Sequence, residues 1–228
     1  PASAVALAEI IDRQDIPKGL FSLVMGSGAD IGQRLVESPR IDAISFTGSV
    51  PVGKGIAAAA IQNLTRVQME MGSKNALAVM DDADLDLAVT LALGGACGGA
   101  RLEMPHDGHY MSPGVFLNTR NDMTINREEM FAPLTSVIKV GSYDEALATV
   151  NDTRFGLTSG IVTRSLARAT HFRRNARTGV VTVNLPTAGT DYHGGRGDSS
   201  YGPREQGRAA AEFYTTVKTA YISAGNPA

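Results

Sequence analysis

Residues 41–53 constrain this chain more than any other stretch. Ile41 and Ile44–Phe46 read as a buried strand, Gly48 permits a tight turn, and Ser49 stands where a helix N-cap belongs. A strand that passes through a glycine turn directly into a helix is half of a crossover connection, and the pattern recurs along the chain. It predicts a helix around 2–13, a strand Phe21–Met25, a helix Ile31–Glu37, a strand Ile41–Phe46, a helix Val52–Gln62 and a strand Val67–Met71. A strand Ala76–Val79 then meets Asp81, Asp82 and Asp84, whose carboxylates suit the start of a helix Leu85–Leu93. After a glycine-crowded break around Cys97, order resumes with strands Val115–Leu117 and Ser136–Val140 and a helix Tyr143–Asn151. A strand Leu157–Thr163, a helix Ser165–Asn175 and a strand Val180–Asn184 follow. A polar loop over 189–203, a helix Glu205–Tyr214 and a β-prone tail, TTVKTAYI, close the chain. Short strands alternating with amphipathic helices imply an α/β fold with a parallel sheet.

Composition narrows the function classes. The chain has 228 residues, 43% of them apolar, enough to bury a substantial core. Its net charge of −2 is made of interspersed signs, so no basic face argues for nucleic acid. The longest low-polarity stretch, 85–100, carries Asp86 and reads as a packed helix rather than a membrane span. The single cysteine excludes an internal disulfide framework and points to a reducing compartment. The first residues lack the basic start of a signal peptide and read as an amphipathic helix, so the expected location is the cytoplasm. His106, His109, His171 and His193 show no metal-ligand spacing, and no metal site is expected.

The candidate site residues admit two readings each. Gly26, Gly28 and Gly32 follow a predicted strand and open a helix, which suits either a phosphate-facing turn or an ordinary strand-to-helix turn. A second such turn at Gly48–Ser49 favours the former, because neighbouring parallel strands ending in glycine turns form the crevice where dinucleotides lie. Glu70 is either a solvated carboxylate or, given Val67, Met69 and Met71 around it, one held at a buried strand end for pairing or catalysis. Cys97 has only Arg101 and glycine amides nearby to lower its pKa, so taken alone it reads as a structural thiol. Glu128 and Glu129, before Phe131 and Pro133, read as charges at a loop or helix end.

Taken in order, FTGSVPVGK at 46–54, MEMGSKN at 69–75, DDADLDLAV at 81–89, INREEMFAP at 125–133, NDTRFGLTSGIVT at 151–163 and SSYGPREQG at 199–207 resemble segments of the aldehyde dehydrogenase superfamily. The resemblance implies a Rossmann-like three-layer sandwich, here incomplete. Residues 1–72 would be the second half of a dinucleotide-binding domain, 73–209 the remainder of a catalytic domain, and 210–228 a helix end and oligomerisation strand. It also implies NAD(P)-dependent oxidation of a small aldehyde: a cysteine thiolate attacks, hydride leaves to the nicotinamide, and water hydrolyses the thioester. Glu70 matches the carboxylate that activates that water. Gly28, Gly32, Gly48 and Ser49 match the turns beside NAD or NADP, Glu129 the carboxylate on the nicotinamide ribose, and Phe131 the aromatic beside the ring. The tail resembles the strand that extends a neighbouring subunit's sheet, implying a homo-oligomer. The loop NLPTAGTDYH at 184–193 resembles the branch that oxidises 2-oxoglutarate semialdehyde.

The chain also departs from that pattern. The family's long N-terminal half is expected before Pro1. Cys97 falls about two helical turns too early to be the family nucleophile, and CGGARLE fits a later family segment. An internal block carrying the nucleophile is therefore expected to be missing between about Ala96 and Cys97. Ser73 and Ala132 stand where the family has glycines. The alternative reading is a catalytically inactive remnant that acts as a structural or oligomerising module.

Overall fold

The computed structural model describes residues 2–93, 98–187, 192–223 and 225. In chain order, helix α1 (Ala2–Asp12) leads to a π-helical turn Gly28–Gly32 and the short helix α2 (Gln33–Val36). Strand β1 (Ala43–Thr47), helix α3 (Val50–Ala60) and strand β2 (Arg66–Glu70) follow. Next come β3 (Ala76–Val79), α4 (Leu85–Leu93), β4 (Gly114–Thr119), α5 (Thr124–Arg127), β5 (Leu134–Ile138) and α6 (Tyr143–Asn151). The chain ends with β6 (Thr158–Val162), α7 (Leu166–Asn175), β7 (Val180–Val183), β8 (Ser200–Tyr201) and α8 (Gly207–Tyr214).

Three small sheets result. β1 and β2 run parallel, joined by the α3 crossover, and β8 pairs antiparallel with the far edge of β2, Glu70 opposite Ser200. β3, β6 and β7 form a wholly parallel second sheet with β6 in the middle. β4 and β5 pair parallel in a third. The core lies on the second sheet, where Ala78, Met80 and Ile161 pack against Ala146 and Val150 of α6 and Phe172 of α7, with Ala176 beyond it. All five residues of β6 are buried, as a central strand covered on both faces requires.

Local chemistry fixes the helix starts. Ser142 caps α6 by accepting from the Glu145 amide, while Glu145 reaches back to the Gly141 amide. Ser165 caps α7 in the same way, accepting from the Arg168 amide, and Asp84 accepts from the Leu87 amide at the start of α4.

Two sequence expectations are corrected. Phe21–Met25 forms no strand: it lacks a ladder partner, and Phe21, Val24 and Met25 are exposed. Apolar sequence favours extended backbone, but a strand needs a free neighbouring edge, and this segment does not meet the open edge of β1. The tail 215–222 likewise forms no strand, and Val217, Tyr221 and Ile222 are almost fully exposed. Conversely, β8 arises inside the stretch expected to be loop, because two residues suffice once the β2 edge is available. No helix among the described residues is long and apolar enough to cross a membrane.

Phe172 is 0% exposed at the centre of this core. Phe172→Ala is expected to destabilise the chain by about 3–5 kcal/mol, read as a lowered urea midpoint at unchanged slope. Leu166→Ala, at a side chain 81% exposed on the same helix, is expected to change little.

Candidate active site

Glu70 is the last residue of β2 and only 3% exposed. Its buried carboxylate is served from two sides. Ser200, opposite it on β8, donates from Oγ to Oε2 at 2.7 Å, and Gln68, on the same face of β2, donates from Nε2 to Oε1 at 3.2 Å. Each donor is itself held. Ser45 of β1 donates to Gln68 Oε1 at 2.6 Å, and the Gly195 amide donates to Ser200 Oγ at 2.6 Å. His193 places Nε2 3.7 Å from Glu70 Oε2, an ion-pair rather than a hydrogen-bond distance. Gly194, at φ +148°, lies between His193 and the site. A Cβ there would come within 3.1 Å of Glu70 Oε1 and 2.7 Å of Arg204 Cδ, so the loop can pass only as glycine.

The strand end is fixed by its neighbours. The Met71 amide donates to the Ser199 carbonyl at 2.7 Å, and Ser199 Oγ donates to the Gly72 carbonyl at 2.7 Å. The same Oγ accepts from the Gly156 amide at 3.0 Å, which ties the end of β2 to the loop before β6. Around this staple Arg154 pairs with Glu128 and Asp198, and Asp198 pairs with Lys54 of α3 at 3.0 Å.

A second cluster lies one turn further on. Glu129 Oε1 accepts from the Ser73 amide at 3.0 Å, and a Cβ at Gly72 would sit 2.5 Å from Glu129 Oε2. Gly72 is therefore required for this approach. Lys74 donates from Nζ to the Ile125 carbonyl at 2.6 Å. Burial pulls its ammonium below the ordinary lysine range, partly opposed by Glu129.

The structure brings some sequence-predicted residues together and leaves others apart. The Gly48 amide donates to the Glu70 carbonyl at 3.1 Å, joining the glycine turn after β1 to the end of β2. Ser49 is the N-cap of α3 and makes no side-chain cap bond. Gly28 and Gly32 bound the π-helical turn that feeds α2, which packs on α3, and a Cβ at either would meet open space. Glu129 gathers on residues 72–74, not on Glu70. Phe131 is 95% exposed with φ +46°. Cys97 lies outside the described residues. Sequence reasoning missed Gln68, Ser200 and His193. The alternation of β2 puts 68 and 70 on one face and could have revealed Gln68. Ser200 and His193 are far away in sequence, and no local signal points to them. Among the described residues no group of histidine, cysteine and carboxylate could hold a metal.

Burial raises the Glu70 carboxyl above its ordinary value of 4.5. The Ser200 hydrogen bond and the His193 charge oppose that rise, and Glu205 adds to it.

The sequence profile of the aldehyde dehydrogenase family matches residues 1–100 and 94–220, and the chain belongs to that family. It is 30% identical over 302 residues to an alpha-ketoglutaric semialdehyde dehydrogenase of Bacillus subtilis, covering 96% of this chain and 62% of the relative. It is 31% identical over 303 residues to a betaine aldehyde dehydrogenase of Rhizobium leguminosarum, covering 99% and 62%. An NAD-dependent aldehyde dehydrogenase of Sinorhizobium meliloti superposes with a TM-score of 0.89 at 27% identity, covering all of this chain and 60% of that one. The chain thus spans about 62% of the curated relatives it matches. An alignment of 302 positions exceeds the 228 residues present, so it skips positions of the relative. The two family matches meet at 94–100, where the internal loss was expected.

The raised carboxyl gives a stability test. A group whose folded pKa is above its unfolded one holds more protons in the folded state. Its stabilising contribution is therefore complete below about 4.5 and is lost as pH rises through the raised folded value. Glu70→Gln is expected to flatten the fall in stability from pH 4.5 upward, measured by chemical denaturation at a series of pH values.

Proposed function

We propose that this chain carries the hydrolytic base and cofactor-facing turn of an NAD(P)-dependent aldehyde dehydrogenase, with Glu70 as the base. The observation that carries the reading is that Glu70, with its carboxylate buried, accepts from the Gly48 amide through its main-chain carbonyl. That bond joins the end of β2, which carries the proton acceptor, to the turn that starts α3. The residues present suit a dinucleotide. Ser49 leaves the first amides of α3 without a side-chain cap, and an eleven-residue helix directs its positive end at them. Ser49 and the uncapped first turn of α3 would hold the phosphates beside Gly48, whose own amide is taken by Glu70. Gly28 and Gly32 would face the nucleotide from the neighbouring turn, and Glu129 and Phe131 would serve the nicotinamide end. The cofactor, when bound, supplies the hydride acceptor.

This chain's own residues then have defined tasks. Glu70 takes a proton from the water that attacks an acyl-thioester, which requires an ionised carboxylate. Gln68 and Ser200 stabilise that form, and burial keeps its proton affinity high enough for base catalysis. Cys97 is the only thiol in the chain and does not occupy the family nucleophile's place, so acyl transfer by this chain alone would need Cys97 as a replacement nucleophile. The substrate class is a small aldehyde; 2-oxoglutarate semialdehyde follows the Bacillus subtilis relative and the loop over 184–193. Residues 1–72 form the cofactor-binding part and 73–209 the catalytic part. The tail 210–228 joins copies of the chain through its unpaired strand-prone segment.

A second reading has its own support. The family matches divide beside Cys97, which favours a chain that lacks the family's nucleophile block and serves only structurally.

The two separate in one assay. With millimolar aldehyde and NAD or NADP, absorbance of reduced nicotinamide is expected to rise. Glu70→Gln is expected to slow steady turnover by about a hundredfold or more while sparing a first burst, and Cys97→Ser to abolish both. No aldehyde-dependent absorbance in the folded chain would decide for the inactive reading.

A further inference from the structure

Glu70's hydrogen bonds are polarised so that only one of its oxygens faces a donor that can turn into an acceptor when a proton arrives. Gln68 Nε2 has hydrogens and no lone pair to offer, so Oε1, at 3.2 Å from it, remains an acceptor. Its orientation is fixed from behind, because Ser45 donates to Gln68 Oε1. Ser200 Oγ differs. It accepts from the Gly195 amide at 2.6 Å and keeps a second lone pair, so its own hydrogen can turn away from Oε2. A proton arriving at Glu70 therefore settles on Oε2, the oxygen that faces His193 at 3.7 Å.

His193 is built for that encounter. Its amide donates to Gln206 Oε1 at 3.4 Å and its carbonyl accepts from the Glu205 amide at 3.0 Å, so the backbone is held beside the strand end. Its side chain is 27% exposed where Glu70's is 4%, so the imidazole has the access to solvent that the carboxylate lacks. Among the described residues, the groups acting on Glu70 are Gln68 on its own strand, Ser200 on β8, His193 on the 193–195 loop and Glu205 beyond it, with Arg204 packed against Gly194 nearby. Of these only His193 combines an accepting nitrogen with an approach to Oε2 and an open side.

We infer that His193 is the proton partner of Glu70, taking from Oε2 the proton that Glu70 removes from water and passing it to solvent. The inference rests on Glu70 being the base proposed above. The water O–H bond breaks and its proton goes to Oε2. The water oxygen bonds to the acyl carbon, and the C–S bond breaks to return a thiolate. The proton then moves to His193 Nε2 once the 3.7 Å gap closes to roughly 3 Å, and leaves from the exposed imidazole. Ser200 and Gln68 act as positioning residues.

The test separates this step from the activity. With 13C-carboxyl-labelled glutamate, and Glu70→Gln for assignment, the Glu70 resonance is titrated by NMR in the unmodified chain, in His193→Phe, and in the polar control His193→Gln. Losing the imidazole is expected to raise the Glu70 midpoint by about one pH unit in both variants; an unmoved midpoint in either folded variant overturns the inference. In turnover, His193→Gln is expected to lose about tenfold or more in the hydrolytic step, with added imidazole restoring part of it; full rate without imidazole also overturns the inference. A chain with no turnover whose Glu70 midpoint still follows His193 would sink the functional reading and uphold the Glu70–His193 partnership.

Discussion

The pairing of Glu70 with Ser200 across the β2–β8 edge is the contact on which the site depends. Two successive serines do different jobs there. Ser199 points back into the chain, bonding the Gly72 carbonyl and the Gly156 amide. Ser200 points the other way, at the Glu70 carboxylate. The division falls where a 3-10 turn, Gly197–Ser199, passes into β8, so the two neighbouring serines belong to different elements and face different partners. Without the two-residue β8, the β2 edge would be unpaired and its terminal carboxylate would face water. With it, residues over a hundred positions apart meet, and the exposed ion pairs of Arg154, Asp198 and Lys54 bind the same junction from outside. Those exposed pairs contribute little individually, about 0–1 kcal/mol each. The neutral hydrogen bonds of Ser199, wholly buried, set the geometry.

Burying a carboxylate raises the cost of its charge, and each donor lowers it again. At Glu70 desolvation outweighs two hydrogen bonds and the His193 interaction, so the group is a stronger base than an exposed glutamate while its donors still favour ionisation. A fully satisfied carboxylate would be inert and an unserved one would stay protonated. The intermediate state follows from using neutral donors, Gln68 and Ser200, with the His193 imidazole set back at 3.7 Å.

Away from this junction the packing thins. α1 has no buried residue, so its helicity owes little to tertiary contact. The tail leaves Val217, Tyr221 and Ile222 exposed, and among the described residues no strand pairs with the outer edge of β1. The second sheet is the contrast. β6 is buried throughout, and Phe172 and Ile161 are fully enclosed. Stability is therefore concentrated around β6, while the Glu70 site lies on the thinner first sheet and depends on the Ser199 staple to share that stability.

What could be read in the sequence follows the range of the forces involved. β3, α4 and α6 match their expected bounds because each is set by local signals: alternation, an aspartate or serine cap, and helical spacing. Phe21–Met25 and the tail have strand-forming residues but no paired edge, and edges are a property of the assembled sheet. Gly48 and Glu70 were legible as neighbours because parallel pairing of β1 and β2 aligns their ends. The donors to Glu70 were not. Gln68 needed the facing of β2 to be taken seriously, and Ser200 and His193 reach the site through a glycine-lined loop whose path depends on Gly194 and Gly195 passing close to backbone and side chains already in place. A Cβ at Gly195 would lie 2.9 Å from Leu157 Cα, so the loop that delivers His193 passes close against the backbone that leads into β6. Chemistry placed this way depends on tertiary order, which residue spacing along the chain does not encode.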